Sequence, residues 1–274
     1  MPGASGDTAV EQRSVHKQGD AILEVRDLTR HFGGLAAVNR VSFSVRRGSV
    51  QGLIGPNGAG KTTCFNLIAG VLSASSGEVW LDGAPITEEP AHIRAARGLA
   101  RTFQNLQIFR ELTVLENVML GMHVRLATGW MASLLGQARR SGAEARAARA
   151  AHAALERVGL AGLAERPASQ LSFGQCKVLE IARALVGEPR LLLLDEPTAG
   201  LPHENVREVE RIIGELRGTG ISILLVEHNM GLVMRVCDQI AVLDHGERIA
   251  TGSPQEIRAH PAVIEAYLGR ESTA

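Results

Sequence analysis

The 274-residue chain has few cysteines, few aromatic residues and no long apolar run. Its three cysteines, Cys64, Cys176 and Cys237, have neither paired nor metal-ligand spacing, which argues against a disulfide scaffold and favours reduced thiols in a cytosolic protein. No apolar stretch approaches the roughly 18–20 residues that span a bilayer. Residues 1–20 are polar and lack the apolar centre of a signal peptide. We therefore predict that residues 1–20 are a disordered tail, and residues 271–274 are assigned as a short tail.

The chain also lacks an excess of charge of either sign. Its 29 basic residues balance 29 acidic ones, so no overall field attracts nucleic acid or an anionic membrane surface. We predict no nucleic-acid partner. Arginines concentrate with alanines in residues 138–157, which we interpret as a solvated helix face, with a partner or lipid contact as the alternative.

One motif carries most of the functional information. Residues 55–63 read GPNGAGKTT, a complete G-x-x-x-x-G-K-[ST] phosphate loop, between an apolar strand pattern and an apolar helix pattern. Glycines let main-chain N–H groups approach phosphate oxygens, and the helix start adds its positive dipole end. Lys61 reaches the β- and γ-phosphates, while the Thr62 hydroxyl suits Mg²⁺. The predicted nucleotide-binding residues are Gly55, Pro56, Asn57, Gly58, Ala59, Gly60, Lys61, Thr62 and Thr63, with a nucleoside triphosphate and Mg²⁺ as the bound groups.

The remaining pattern predicts an α/β fold. Short strands are predicted at 22–25, 41–45, 50–54 and 78–81. The runs 191–194 and 221–226, apolar except for Ser222, are typical of strands covered on both faces of a parallel sheet. A helix is predicted at 204–216 between the last two runs. Residues 112–185 show almost no strand pattern and predict helices at 113–123, 143–158 and 172–186. A helical subdomain, residues 105–186, is therefore expected within one domain spanning residues 21–270.

Two acidic residues follow the apolar run 191–194. A carboxylate at the C-terminal end of a buried strand lies where α/β sheets bind ligands. Asp195 is therefore a candidate Mg²⁺ ligand, directly or through water. Glu196 is a candidate general base that orients and deprotonates the attacking water. The alternative is a strand-ending turn, since Asp-Glu-Pro also favours turns.

Residues 171–175, LSFGQ, permit a structural and a functional interpretation. Ser172 and Gln175 have the spacing of a capping box that begins a helix. The same helix start presents N–H groups, the Ser172 hydroxyl and the Gly174 main chain, a combination that binds phosphate.

The order of these motifs resembles that of the ATP-binding cassette (ABC) ATPases. The phosphate loop, Gln104, residues 171–175, Asp195-Glu196 and His228 follow one another as in that family, over about residues 20–270. The resemblance implies a phosphate-loop ATPase core with an antiparallel β subdomain and an inserted helical subdomain. It also implies a head-to-tail dimer with two ATP molecules at its interface, formed by two identical chains or by two similar ones.

Further site roles follow from the resemblance alone. Ser172, Gly174 and Gln175 would face the ATP bound by the partner subunit. Gln104 would link Mg²⁺ and the attacking water to the helical subdomain, and His228 would contact the γ-phosphate. Phe32 would stack on adenine, and the loop 199–202 would cross to the partner.

Several stretches are similar to one subgroup, the ATP-binding subunits of branched-chain amino acid importers. These stretches are residues 31–39, 101–106, 108–113, 116–118, 226–230 and 260–269. Leu201-Pro202 lacks the asparagine commonly found between these two residues, and Cys176-Lys177 replaces a more polar pair.

The resemblance thus implies an ATP-hydrolysing importer subunit at the cytoplasmic face of the membrane. It would bind permease subunits and serve a solute-binding protein indirectly. The alternatives are a lipopolysaccharide-export ATPase, a soluble ABC ATPase and a nucleotide-binding scaffold without catalysis. Neither the cargo nor the role of residues 124–150 can be deduced from the residues themselves.

Overall fold

The computed structural model describes residues 20–102, 107–122 and 137–268. Two β-sheets and the surrounding helices form these regions. The predicted α/β class, with an antiparallel sheet and helices between the phosphate loop and the last core strands, is confirmed. The three cysteines are buried free thiols. In the described regions, no helix is long and apolar enough to cross a membrane.

The first sheet has four antiparallel strands in the order β2-β1-β4-β5. Its strands are β1 (Ala21–Phe32), β2 (Leu35–Arg46), β4 (Ser76–Leu81) and β5 (Ala84–Pro85). In β2 buried Val41, Phe43 and Val45 alternate with more exposed residues, because successive side chains of a strand point to opposite faces.

The second sheet has six strands in the order β10-β9-β3-β8-β7-β6. They are β3 (Val50–Ile54), β6 (Leu99–Arg101), β7 (Leu191–Asp195), β8 (Ser222–Val226), β9 (Gln239–Asp244) and β10 (Glu247–Gly252). Every residue of β3, β7 and β8 is buried, as their apolar sequences predict. The strands β6, β9 and β10 are not among those predicted.

Alternate residues of the central strands face two different cores. Leu192 and Leu194 pack into one hydrophobic cluster, whereas Leu191 and Leu193 pack into the other. Because both faces are covered, the register of these strands is strongly specified, and so are the positions of the loops at their ends.

Nine helices are described: α1 (Lys61–Ile68), α2 (Ala91–Ala96), α3 (Val114–Leu120), α4 (Gln137–Arg157), α5 (Phe173–Leu185), α6 (His203–Gly218), α7 (Met230–Val236), α8 (Pro254–Ala259) and α9 (Pro261–Leu268). Helices α3, α4 and α5 correspond to the three predicted at 113–123, 143–158 and 172–186. Two predicted bounds are wrong, since α3 ends three residues before position 123 and α4 begins at Gln137. A capping box between Thr113 and Glu116 fixes the start of α3.

Candidate nucleotide-binding site

The parallel sheet brings the predicted site residues to one edge. Val226, the last residue of β8, is paired with Leu53 of β3 on one side and with Asp195 of β7 on the other. The loops that follow these three strands contain the phosphate loop, Glu196 and His228, and they leave the sheet side by side. This edge is the carboxyl end of the strands, where α/β sheets bind ligands.

The phosphate loop needs its glycines for two physical reasons. Gly55, Gly58 and Gly60 all have positive φ, which disfavours other residues. A Cβ atom at Gly55 would lie 2.1 Å from the Leu243 carbonyl oxygen, and one at Gly60 would lie 2.4 Å from that of Ala37. Gly58 instead faces open space. The loop is therefore packed against the protein at two glycines and open at the third.

Lys61 begins α1 and folds back over the loop. Its Nζ donates hydrogen bonds to the carbonyl oxygens of Gly55, at 2.7 Å, and Pro56, at 2.9 Å. Burial lowers the pKa of Lys61, while the charges of Glu196 and Asp195 oppose this shift. The Lys61 ammonium thus lies close to the predicted general base Glu196 and the predicted Mg²⁺ ligand Asp195, on the loop that would receive the phosphates.

Asp195 is held from the neighbouring strand β6. The Arg101 Nη2 atom donates to Asp195 Oδ2 at 2.9 Å, and Nη1 donates to Asn66 Oδ1 of α1 at 2.6 Å. Asp195 is 2% exposed. Burial raises the pKa of this carboxyl, and the Arg101 guanidinium opposes the shift. Arg101 therefore connects the two elements that carry the phosphate loop and the predicted Mg²⁺ ligand.

Glu196 has an unusual backbone conformation. Its φ of 47° lies in the left-handed region that non-glycine residues rarely adopt. Its N–H donates to the Val226 carbonyl oxygen at 2.9 Å, which ties this turn to the end of β8. Such strained residues cluster at functional sites. Glu196 Oε2 lies 3.8 Å from Nδ1 of His228, so the predicted base and γ-phosphate contact are neighbours.

Glu227 was not predicted as a site residue, although it precedes His228. Its side chain is completely buried. Oε1 accepts hydrogen bonds from the N–H and Oγ1 of Thr198, at 2.9 and 2.5 Å. Oε2 accepts from the N–H groups of His228 and Asn229, at 3.0 and 3.1 Å. One carboxylate therefore joins the loop after β7 to the loop after β8.

The motif at residues 171–175 begins α5 as predicted. Ser172 Oγ accepts from the Gln175 N–H at 3.2 Å, and the Gln175 side chain accepts from the Ser172 N–H at 2.9 Å, which confirms the capping box. A Cβ atom at Gly174 would lie 2.3 Å from Asn205 Nδ2. Gly174 therefore packs closely against the start of α6.

Phe32 and Gln104 are the two remaining predicted positions. Phe32 ends β1 and is 45% exposed, with the Arg30 guanidinium 4.9 Å from its ring centroid. Its ring is therefore accessible for stacking. Gln104 lies outside the described residues.

The residues at the sheet edge fit a magnesium–nucleotide complex. The Thr62 hydroxyl and the Asp195 carboxylate would supply hard oxygen ligands, and Lys61 would supply the positive charge for phosphate. No cluster of three or more acidic, His or Cys side chains in the described part of the chain could hold a metal. Mg²⁺ suits this arrangement, because it is usually bound by one or two carboxylates together with substrate phosphates.

The C-terminal helix also reaches the phosphate loop. The Tyr267 hydroxyl oxygen is buried and makes no hydrogen bond of good geometry. Burial raises the pKa of Tyr267 to about 12, and the main chain of Gly55 opposes this shift. Helix α9 thus packs behind the first residue of the loop.

Together, the phosphate loop, the acidic strand end and the parallel sheet define a phosphate-loop nucleoside triphosphatase. The family model described as "ABC transporter" matches residues 38–199, more than half of the chain. A second model, "Branched-chain amino acid ATP-binding cassette transporter", matches residues 247–273. The chain belongs to the ABC transporter family of ATP-binding cassette proteins. The predicted family and ATPase class are confirmed.

Curated relatives resemble the chain over nearly its whole length. The chain is 43% identical to the high-affinity branched-chain amino acid transport ATP-binding protein BraF of Pseudomonas aeruginosa, over 90% of this chain and 98% of the relative. It is 44% identical, with the same coverage, to the LivG protein of Salmonella typhimurium, which has the same description. The lipopolysaccharide export system ATP-binding protein LptB of Haemophilus influenzae is 34% identical over 92% of this chain and 98% of that protein.

Solved structures give the same fold. An ATP-binding cassette of an ABC transporter in its ADP conformation matches with a TM-score of 0.79 and 32% identity, over 91% of this chain and 99% of that chain. A nucleotide-free cassette matches with a TM-score of 0.76 and 32% identity, over 90% and 98% of the two chains.

Proposed function

We propose that this chain is the ATP-hydrolysing subunit of an importer for branched-chain amino acids or related small solutes. The observation that carries the proposal is the match of residues 247–273 to the branched-chain amino acid cassette model, together with 43–44% identity to ATP-binding proteins of that transport class. The identity to the lipopolysaccharide export protein is lower, at 34%. Import is therefore favoured over the export alternative.

In the proposed reaction, the phosphate loop and Lys61 bind ATP. First-turn N–H groups of α1 have no carbonyl in a preceding turn and are available to phosphate oxygens. The Lys61 ammonium would exchange its two carbonyl partners for the β- and γ-phosphates. Thr62, Asp195 and Gln104 would hold Mg²⁺, which when bound neutralises charge on the phosphates.

The turn after β7 would activate the attacking water. Glu196 accepts a proton from that water, and its strained backbone directs the carboxylate from the sheet edge towards His228. His228, whose side chain is 62% exposed, would donate a hydrogen bond to the γ-phosphate.

The second half of each site would come from a partner cassette. Ser172, Gly174 and Gln175 lie at the start of α5, where the Ser172 side chain is exposed, and would bind the partner's ATP through the hydroxyl and the helix N-terminus. The loop 199–202 would lie between the two subunits. The partner is either a second copy of this chain or a similar cassette.

An apolar groove is the proposed binding surface for the permease. It has a volume of about 550 Å³ and is lined by residues of several elements, among them Ala69, Val71, Ala91, Phe109, Leu120 and Ala184. Phe109 is 56% exposed and Val71 is equally exposed. A short amphipathic helix of a membrane subunit fits such a groove. The permease would hold the chain at the cytoplasmic face of the membrane, and the solute would be recognised by the permease and a binding protein.

Uptake measurements test this proposal. The gene should be deleted from its own host, and uptake of labelled leucine, isoleucine and valine compared with uptake of an unrelated solute such as a sugar. We expect selective loss of amino acid uptake, restored by the wild-type gene but not by Glu196→Gln. Normal uptake of all three amino acids in the deletion strain, together with a defect in the outer membrane, would instead support the export alternative.

A further inference from the structure

The buried Glu227 carboxylate divides its hydrogen bonds between two loops. Oε1 accepts two hydrogen bonds from Thr198, and Oε2 accepts one each from the N–H groups of His228 and Asn229. Thr198 is 29 residues away along the chain, and both side chains are buried. The two loops follow adjacent parallel strands, β7 and β8.

We infer that Glu227 is a positioning residue that fixes the loop after β7 relative to His228. This inference rests on the proposed function, in which His228 contacts the γ-phosphate of one ATP and the loop 199–202 faces the partner subunit. Glu227 would hold these two parts of the site in the arrangement that hydrolysis needs. It is placed behind the loops and touches neither nucleotide nor attacking water in this role.

The hydrogen bonds at position 227 require a carboxylate side chain. All four partners are donors, so both oxygens must be acceptors. A glutamine has nearly the same shape, but its NH₂ group cannot accept a hydrogen bond. If the NH₂ group faces His228 and Asn229, both of their N–H groups lose their acceptor. If it faces Thr198, the Thr198 N–H loses its acceptor, although the Thr198 hydroxyl can accept from the amide. In either orientation at least one main-chain N–H faces a second donor, so the substitution weakens the connection without creating a cavity.

A contact further along the loop extends this connection to the start of α5. A Cβ atom at Gly200, whose φ is 76°, would lie 3.3 Å from the ring of Phe173. Thr198 and Gly200 thus connect Glu227 at one end with the 171–175 motif at the other. Displacement of this loop would disturb the half-site offered to the partner as well as the surroundings of His228.

The test compares steady-state ATPase activity and nucleotide affinity of the purified full chain and its variants. Glu227→Gln should lower kcat by up to about 100-fold, the cost of a displacement of about 1 Å in a catalytic arrangement. Nucleotide affinity should stay within about twofold of wild type, because Lys61 and the phosphate loop are unchanged. Thr198→Val, which removes one of the four donors, should lower kcat less, and Thr198→Ser should restore it. Adding Thr198→Val to Glu227→Gln should lower kcat little further, since both substitutions weaken the same connection.

Arg94→Met is the matched control for general destabilisation. Arg94 is 1% exposed and bonds four main-chain carbonyls outside these loops. Its loss should lower thermal stability with kcat little changed. The inference is overturned if Glu227→Gln and Thr198→Val both keep a kcat within twofold of wild type, or if the loss appears in affinity alone. If Glu227→Gln does not fold, the kcat values of Thr198→Val and Thr198→Ser test the inference instead. Amino acid uptake is measured in a separate experiment, so failure of the transport proposal can be distinguished from failure of this inference.

Discussion

The Arg101 guanidinium lies 2.9 Å from the Asp195 carboxylate and fixes it at the end of β7. The Asp195 side chain is 2% exposed and that of Arg101 12% exposed, so water screens this ion pair weakly. The same guanidinium lies 4.9 Å from the ring centroid of Phe65 and bonds Asn66, both in α1. Arg101 of β6 thus holds the proposed Mg²⁺ ligand Asp195 in place.

Arg101→Met should destabilise the protein by about 3 kcal/mol, because it leaves a buried carboxylate without its partner. Adding Asp195→Asn should recover part of that loss. The measurement is urea unfolding at neutral pH. Arg97→Met is the control, since Arg97 forms an exposed ion pair with Glu89 and should lose less than about 1 kcal/mol. Equal losses for the two variants would contradict the assigned role of Arg101.

Lys61→Ala should abolish productive ATP binding. The buried ammonium is the positive charge on the phosphate loop, and charge-assisted hydrogen bonds to phosphate are the strong ones. Affinity should be measured by titration with a nucleotide in the presence of Mg²⁺, and we expect a loss of at least about tenfold, given roughly 1.5–3 kcal/mol per charged hydrogen bond. Affinity within twofold of wild type would mean that this loop is not the binding site.

Glu196→Gln should leave ATP binding intact and slow hydrolysis roughly 10²- to 10⁴-fold, because the general base is removed. The variant should accumulate an ATP-bound dimer, visible by light scattering. Glu204→Gln, at the exposed start of α6, is the control and should hydrolyse ATP normally. Turnover near the wild-type rate in Glu196→Gln would remove this residue from the mechanism.

Ser172 should act on ATP bound by the partner subunit. Ser172→Arg and Lys61→Ala should each be inactive, but a mixed dimer would contain one composite site with both halves intact, so activity should partly return on mixing. Ser253→Arg breaks an equivalent capping box at the start of α8 and controls for the lost cap. Absence of recovery at any ratio, with mixed dimers shown to form, would count against shared sites.

Phe109→Cys should crosslink to cysteines introduced into the permease, because Phe109 is exposed in the apolar groove. Leu35→Cys, exposed at the start of β2, and Ser14→Cys should not form these crosslinks. The native cysteines are buried, so background labelling should be low. If positions 107–115 do not react with thiol reagents in the free subunit and form no crosslink, the permease binds elsewhere.

The sequence predicts the parts of this site that depend on local pattern. The phosphate loop, the strands β3, β7 and β8, and the capping box at Ser172 follow from spacing and apolar runs. Arg101 and Glu227 do not, because their partners lie 94 and 29 residues away and become neighbours only through strand pairing. An acidic residue directly after the run 221–226, which is apolar except for Ser222, was the available signal for Glu227.

The incorrect helix bounds have similar causes. The apolar pattern after Thr113 continues past the end of α3, but Gly121 packs against α5, where a Cβ atom would lie 2.2 Å from the Arg183 carbonyl oxygen. That contact arises from tertiary packing and cannot be deduced from the helical periodicity of the sequence. At α4, Ser141 and Gly142 are poor helix formers, so local propensity places the start too late.

The position of Tyr267 behind Gly55 has a practical consequence for anyone labelling this protein. The last described helix ends against the strand-to-loop junction of the ATP site, so a fluorescent protein or affinity tag fused to the C-terminus would be attached close to the catalytic machinery. Truncations that remove α9 would take away the packing under Gly55 and would be misread as loss of a regulatory tail.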